Sequence, residues 1–151
     1  MKVSAKADYA VRAAVELASA REGPVKGERI AQAQSIPANF LENILADLRN
    51  GGLVASRRGA DGGYWLARPA AEISLADVIR AVDGPLAAVR GQRSEQVSYE
   101  GSAASLRDVW VAVRASLRNV LERVTLADVA AGELPAEVRA LADDPDAWSP
   151  H

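Results

Sequence analysis

The sequence predicts a mainly α protein: a winged helix-turn-helix with a two-stranded wing, followed by a long C-terminal dimerisation helix. Three observations predict it. Two short amphipathic segments meet across a three-residue break at Ser35 to Pro37, a glycine-rich turn then joins two strand-like runs, and residues 103–124 carry an unbroken apolar stripe at helical spacing.

Ser4 is a capping residue type, and Ala7, Ala10, Val11, Ala14 and Leu17 follow at helical spacing, so a first helix is expected from Ser4 to about Ala20. Gly23-Pro24 breaks it, and Gly27 to Gln34 forms a second around Ile30 and Ala31. Pro37 suits a first helical turn; Phe40, Leu41, Ile44, Leu45 and Leu48 then form the buried stripe of a third helix, ended by Asn50-Gly51-Gly52. Leu53 to Arg58 and Tyr64 to Ala67 read as strands around the turn Gly59-Ala60-Asp61-Gly62-Gly63. Ser74 with Asp77 resembles a capping box, and Leu75, Val78, Ile79 and Val82 share one face until Gly84-Pro85.

Residues 86–102 are unpatterned and read as a loop or mobile connector. Leu106, Val109, Trp110, Val113, Leu117, Val120, Leu121 and Val124 then line one side of a helix roughly 30 Å long at ~1.5 Å per residue. Thr125 caps a short helix from Leu126 to Ala131, and the tail after Leu134 holds a short helix before fraying. No internal repeat is expected. Residues 1–85 are thus a DNA-binding domain, 86–102 an effector connector, 103–132 the dimerisation helix with its short follower, and 133–151 a tail.

Several functions are excluded by composition. The 151 residues have no cysteine, so no disulfide, thiol nucleophile, thiolate zinc site or Cys-ligated cluster can form; the one histidine is the terminal His151. No metal site and no cofactor are expected. Asp143 and Asp144 stand side by side on a polar tail, and no groups converge as a catalytic site would, so no enzyme is expected. No apolar run reaches the ~18 residues that would cross a bilayer, nor does the amino terminus resemble a signal peptide, so a cytoplasmic place is expected. Charge divides unevenly: residues 1–69 carry ten Lys/Arg against seven Asp/Glu, a balance of +3, and residues 70–151 carry eight against thirteen, a balance of −5. A basic front suits contact with a polyanion.

With Phe40, Leu41, Ile44 and Leu48 facing inward, the outer stripe of the third helix is Asn39, Glu42, Asn43 and Ala46. Asn can pair with adenine, Glu can accept from cytosine N4, and Ala permits close approach to a thymine methyl. Glu42 is open to two readings, a base contact or a solvated surface charge. Arg57 and Arg58 precede the hairpin tip at Gly59, where guanidinium groups gain from the potential of a narrow minor groove. Lys6 and Arg49 are phosphate candidates, with Lys2, Lys26 and Arg29 of the same kind. The segment 59–63 lacks the Gly-Lys-Ser/Thr ending of a phosphate-cradling loop, and a turn is enough explanation. The long apolar stripe exceeds what a small winged domain covers, which favours pairing with a second copy on a palindromic DNA site.

Ser4-Ala-Lys6-Ala-Asp-Tyr9-Ala-Val-Arg, Phe40-Leu41-Glu42-Asn43-Ile44-Leu45, Arg58-Gly59-Ala60-Asp61-Gly62-Gly63-Tyr64, Asp77-Val78-Ile79-Arg80-Ala81-Val82-Asp83-Gly84-Pro85 and Thr125-Leu126-Ala127-Asp128-Val129 resemble the Rrf2 family of bacterial winged helix-turn-helix regulators, over about residues 1–131. The resemblance implies that Glu42 and Asn43 read the major groove and Arg58 enters the minor groove. It implies that Pro37 stands where relatives often carry Ser, which removes a cap or phosphate contact. It also implies a homodimer across a long helix. Cluster-binding members place three Cys in the region corresponding to 86–105, where this chain has none. The chain therefore resembles the cluster-free branch, whose cysteine-metabolism repressor works with cysteine synthase as a partner enzyme. The expected function is a dimeric repressor answering to a small-molecule effector or partner protein; a module that docks another protein is the alternative. Arg90, Arg93, Tyr99 and Trp110 are the candidate effector residues, with Trp110 alternatively part of the dimer core.

Overall fold

In the computed structural model, which describes residues 1–151, Ser4 opens the first helix by accepting the Ala7 N–H at 2.9 Å. This helix, α1 (Ala5–Ser19), turns its small residues Ala7, Ala10, Ala13 and Ala14 inward, so neighbouring helices approach closely. α2 (Gly27–Gln34) and α3 (Ala38–Asn50) pack on it, joined by a turn in which Ser35 takes the left-handed conformation that lets a three-residue link reverse the chain. Leu41, Ile44, Leu45 and Leu48 of α3 are buried against α1 and α2.

The wing follows as β1 (Val54–Arg57) and β2 (Gly63–Leu66), antiparallel, with Val54 opposite Leu66 and Arg57 opposite Gly63. It is stitched to the body by a reciprocal pair of backbone hydrogen bonds between Val25 and Tyr64, both 2.8 Å. A Cβ at Gly62 would lie 2.0 Å from the Arg57 carbonyl oxygen, and one at Gly63 2.7 Å from that of Val25, so both positions require glycine.

α4 (Leu75–Asp83) begins with the expected capping box of Ser74 and Asp77 and packs on α1 and α3. Residues 84–105 hold two single 3₁₀ turns, Ser94–Gln96 and Gly101–Ala103, and this connector is pinned by buried Ser94 and Val97. Ser94 Oγ donates to the Ala87 carbonyl at 2.7 Å. α5 (Leu106–Leu121) is the long helix, α6 (Leu126–Ala131) follows it, and α7 (Ala136–Asp143) leads to a last 3₁₀ turn, Pro145–Trp148.

Four expectations change. The long helix has 16 residues, about 24 Å, because the 3₁₀ turn Gly101–Ala103 and the turn at 104–105 delay its start and Glu122 ends it. Val124 lies beyond that helix and is 3% exposed within its own subunit, so it is core and not part of the open stripe. Helix α6, grouped with the dimerisation helix from sequence, packs on α1, and Leu126 joins the main core. There is also an internal repeat: Ile73-Ser74-Leu75-Ala76-Asp77-Val78 matches Val124-Thr125-Leu126-Ala127-Asp128-Val129. Its two copies form like capping boxes and pair antiparallel, Leu75 N–H to Val124 O and Leu126 N–H to Ile73 O, both 2.9 Å.

Candidate nucleic-acid interface

α3, the uncapped start of α2 and the wing enclose an open groove of about 530 Å³. Helix α3 presents Glu42, Ala46 and Arg49 to it, the wing Arg57, Arg58 and Gly59, and α2 its N-cap residue Lys26. Asn39 and Asn43 are exposed on the same outer side of α3, Asn43 toward a second cleft with Lys6, Tyr9 and Phe40. The outer stripe read from the sequence is therefore open.

Charge in the groove is set by what each cation touches. Lys26 Nζ donates to the Gly59 carbonyl at 2.8 Å, Arg49 to Ser56 Oγ at 3.1 Å and Arg57 to the Asp61 carbonyl at 3.1 Å. These acceptors are neutral, so the positive charges stay uncompensated. Arg58 engages no partner at all, one residue past the end of β1. Against these four cations stand Glu28 and Glu42, a surplus of two positive charges. Neither α2 nor α3 has a side-chain cap, so their first N–H groups and helix dipoles also face outward, a geometry suited to phosphate oxygens.

The structure revises several sequence expectations here. Pro37 is the N-cap residue of α3, not part of its first turn, and gives no capping hydrogen bond. Lys6 is ion-paired to Asp47 at 2.6 Å, which spends its charge inside the subunit. Arg57 is folded back across the turn onto Asp61, whereas Arg58 projects freely. Phe40, placed in the buried stripe, is 54% exposed, because α1 supplies only Tyr9 beside it, ring centroids 6.3 Å apart. Helical spacing located an apolar side; it could not show how much of that side α1 covers, and α1 runs past the start of α3, with Arg12 donating to the Gln34 carbonyl, while leaving Phe40 open. Lys26 was a minor candidate and becomes a groove residue because the Val25–Tyr64 stitch draws it under the wing tip.

The candidate effector residues separate. Arg90 stacks on Tyr99, 5.7 Å from its ring centroid, and Trp110 Nε1 donates to the Tyr99 hydroxyl at 3.0 Å. Arg93 lines a different cleft with Arg80, Arg114 and Arg118. The stripe of Leu106, Val109, Trp110, Val113, Leu117, Val120 and Leu121 runs along α5, no residue of which is buried within the subunit; Val109 is 49% exposed.

The sequence profile of Rrf2, described as an iron-dependent transcriptional regulator, matches residues 3–132. The chain belongs to the Rrf2 family. As in that family, it is a DNA-binding regulator of transcription, and its winged fold is the family's. It is 57% identical over 145 residues to Rv1287 of Mycobacterium tuberculosis, described as an HTH-type transcriptional regulator, covering 95% of this chain and 90% of that one. It is 36% identical to the HTH-type transcriptional regulator CymR of Bacillus subtilis over 86% of this chain and 90% of CymR. The solved structure of CymR, the global cysteine regulator of B. subtilis, superposes with a TM-score of 0.73 at 34% identity, covering 87% of this chain and 98% of that one. That of IscR from T. potens gives 0.69 at 35% identity, covering 100% and 93%.

The residues of this Rrf2 chain do not fit a Cys-ligated iron cluster. It has no cysteine, its single histidine is His151, and no three His, Asp or Glu side chains converge. No helix is long and apolar enough to cross a membrane.

Proposed function

We propose that the protein is a homodimeric, sequence-specific transcriptional repressor that sets two α3 helices and two wings on a palindromic operator without a cluster or catalytic chemistry. The observation that carries this reading is the groove: Lys26, Arg49 and Arg57 touch only neutral atoms there, beside an exposed Asn39–Glu42–Asn43 stripe and a freely projecting Arg58. Phosphates are met by Lys26, Arg49 and Arg57 with the open helix starts; bases are read by Glu42, Asn39 and Asn43; Arg58 enters the minor groove. The apolar side of α5 pairs with that of a second copy. Acting on chromosomal DNA places the dimer in the cytoplasm. CymR's description as a global cysteine regulator supports sulfur metabolism as the first place to look for regulated genes.

Genomic footprinting supplies the operator, and gel shifts on it test the assignment. Arg58→Ala is expected to weaken binding by about 1–3 kcal/mol, Glu42→Ala to relax preference at one base position, and Lys26→Ala to flatten the salt dependence. Unchanged binding by both Arg58→Ala and Glu42→Ala overturns the reading.

A further inference from the structure

A second cationic site lies away from the reading face. The end of α4, residues 93–95 and one side of α5 enclose a cleft of about 490 Å³, within the range of small-molecule sites. Four arginines line it, Arg80, Arg93, Arg114 and Arg118, against two glutamates, Glu95 and Glu122. Glu122 gives a single oxygen, Oε1, to both Arg80 and Arg118, while Glu95 pairs with Arg114. Three guanidinium groups thus each spend one N–H on a carboxylate, and that of Arg93 makes no hydrogen bond or ion pair. A guanidinium has five donors in a planar fork, so most of the donor capacity of the cleft is unspent.

The surplus of two positive charges is opposed by the C-terminal ends of α4 and α5, about half a negative charge each, and the cleft stays net positive. Pro85 and Leu86 are the only apolar side chains in a lining otherwise dominated by charge, which disfavours an apolar occupant. Arg114 and Arg118 lie roughly a quarter turn around α5 from its apolar stripe, so the cleft opens beside that stripe and not within it.

We propose that this cleft binds a small dianion, held by the unengaged fork of Arg93 and the spare donors of Arg80, Arg114 and Arg118. Bridging Arg80 on α4 to Arg118 on α5, the dianion competes with Glu122 for both. The binding site stands independently of the DNA-reading proposal.

Isothermal titration of the full chain with inorganic phosphate, sulfate and succinate, against sodium chloride at matched ionic strength, tests it. Saturable binding of at least one dianion is expected, with acetate weaker. Arg93→Gln is expected to weaken it about tenfold, the loss of roughly 1.4 kcal/mol, with an unchanged circular dichroism spectrum. Arg58→Gln, on the wing, should leave it intact. Phosphate or sulfate binding with succinate excluded identifies a single tetrahedral oxyanion, and succinate binding identifies paired carboxylates; either supports the site. No saturable binding by any dianion, or binding lost in Arg58→Gln and kept in Arg93→Gln, overturns it.

Discussion

Helices α3 and α5 carry apolar stripes of the same period, yet they end in opposite states. α3 buries Leu41, Ile44, Leu45 and Leu48 within its own subunit, while α5, with a longer stripe, buries none of its residues. The difference lies in what surrounds them. α3 is enclosed by α1, α2, α4 and the wing, whereas α5 meets its own subunit chiefly through the connector turn at 94–96 and through its charged flank. Periodicity says that a helix has something to bury; only the neighbouring elements say whether the partner belongs to the same chain.

The comparison breaks most sharply at Leu117. Leu117→Glu places an unpaired carboxylate twice across the proposed two-fold contact, at several kcal/mol each, and sedimentation should shift from dimer to monomer while the helical spectrum persists. A dimer that survives this change means that α5 is not the contact. Leu48→Ala is the complementary test: it should cost about 2–5 kcal/mol in urea unfolding, whatever the oligomeric state, because its cavity opens inside one subunit. Smaller effects come from the paired caps. Ser74→Ala and Thr125→Ala should each cost about 0.5–2 kcal/mol, and the double variant should depart from additivity because the two caps are hydrogen-bonded neighbours.

The smallest effect tests the charged flank of α5. The Glu122 carboxyl is held below the usual glutamate range, first by the hydrogen bond from Arg80 and then by that from Arg118. A lowered native pKa means that the contribution is present above the unfolded value near ~4.3 and is lost as pH falls through the native one. Glu122→Gln should therefore be less stable than the parent at neutral pH, with the gap closing on acidification in parallel urea titrations.

Local chemistry made much of this legible beforehand. Ser4, Ser74 and Thr125 announced their helices through capping geometry, and the glycines of 59–63 announced the wing. Helical period alone assigns Phe40 to the covered side and Val124 to the open stripe, because it ignores how far a neighbour covers a side and where the helix itself ends. The arginine cleft was invisible in sequence, since Arg80, Arg93, Arg114 and Arg118 come together only when α4, the connector and α5 fold side by side. The repeat around Ser74 and Thr125 was in plain view, but six residues separated by 45 others look like coincidence until their backbones pair.

That pairing closes the joint between α5 and α4. The chain leaving α5 is laced to the first turn of α4, and the Arg80–Glu122 ion pair ties the same two helices a second time. α4 lies in turn against α3, so α5 and α3 are joined through one intervening helix.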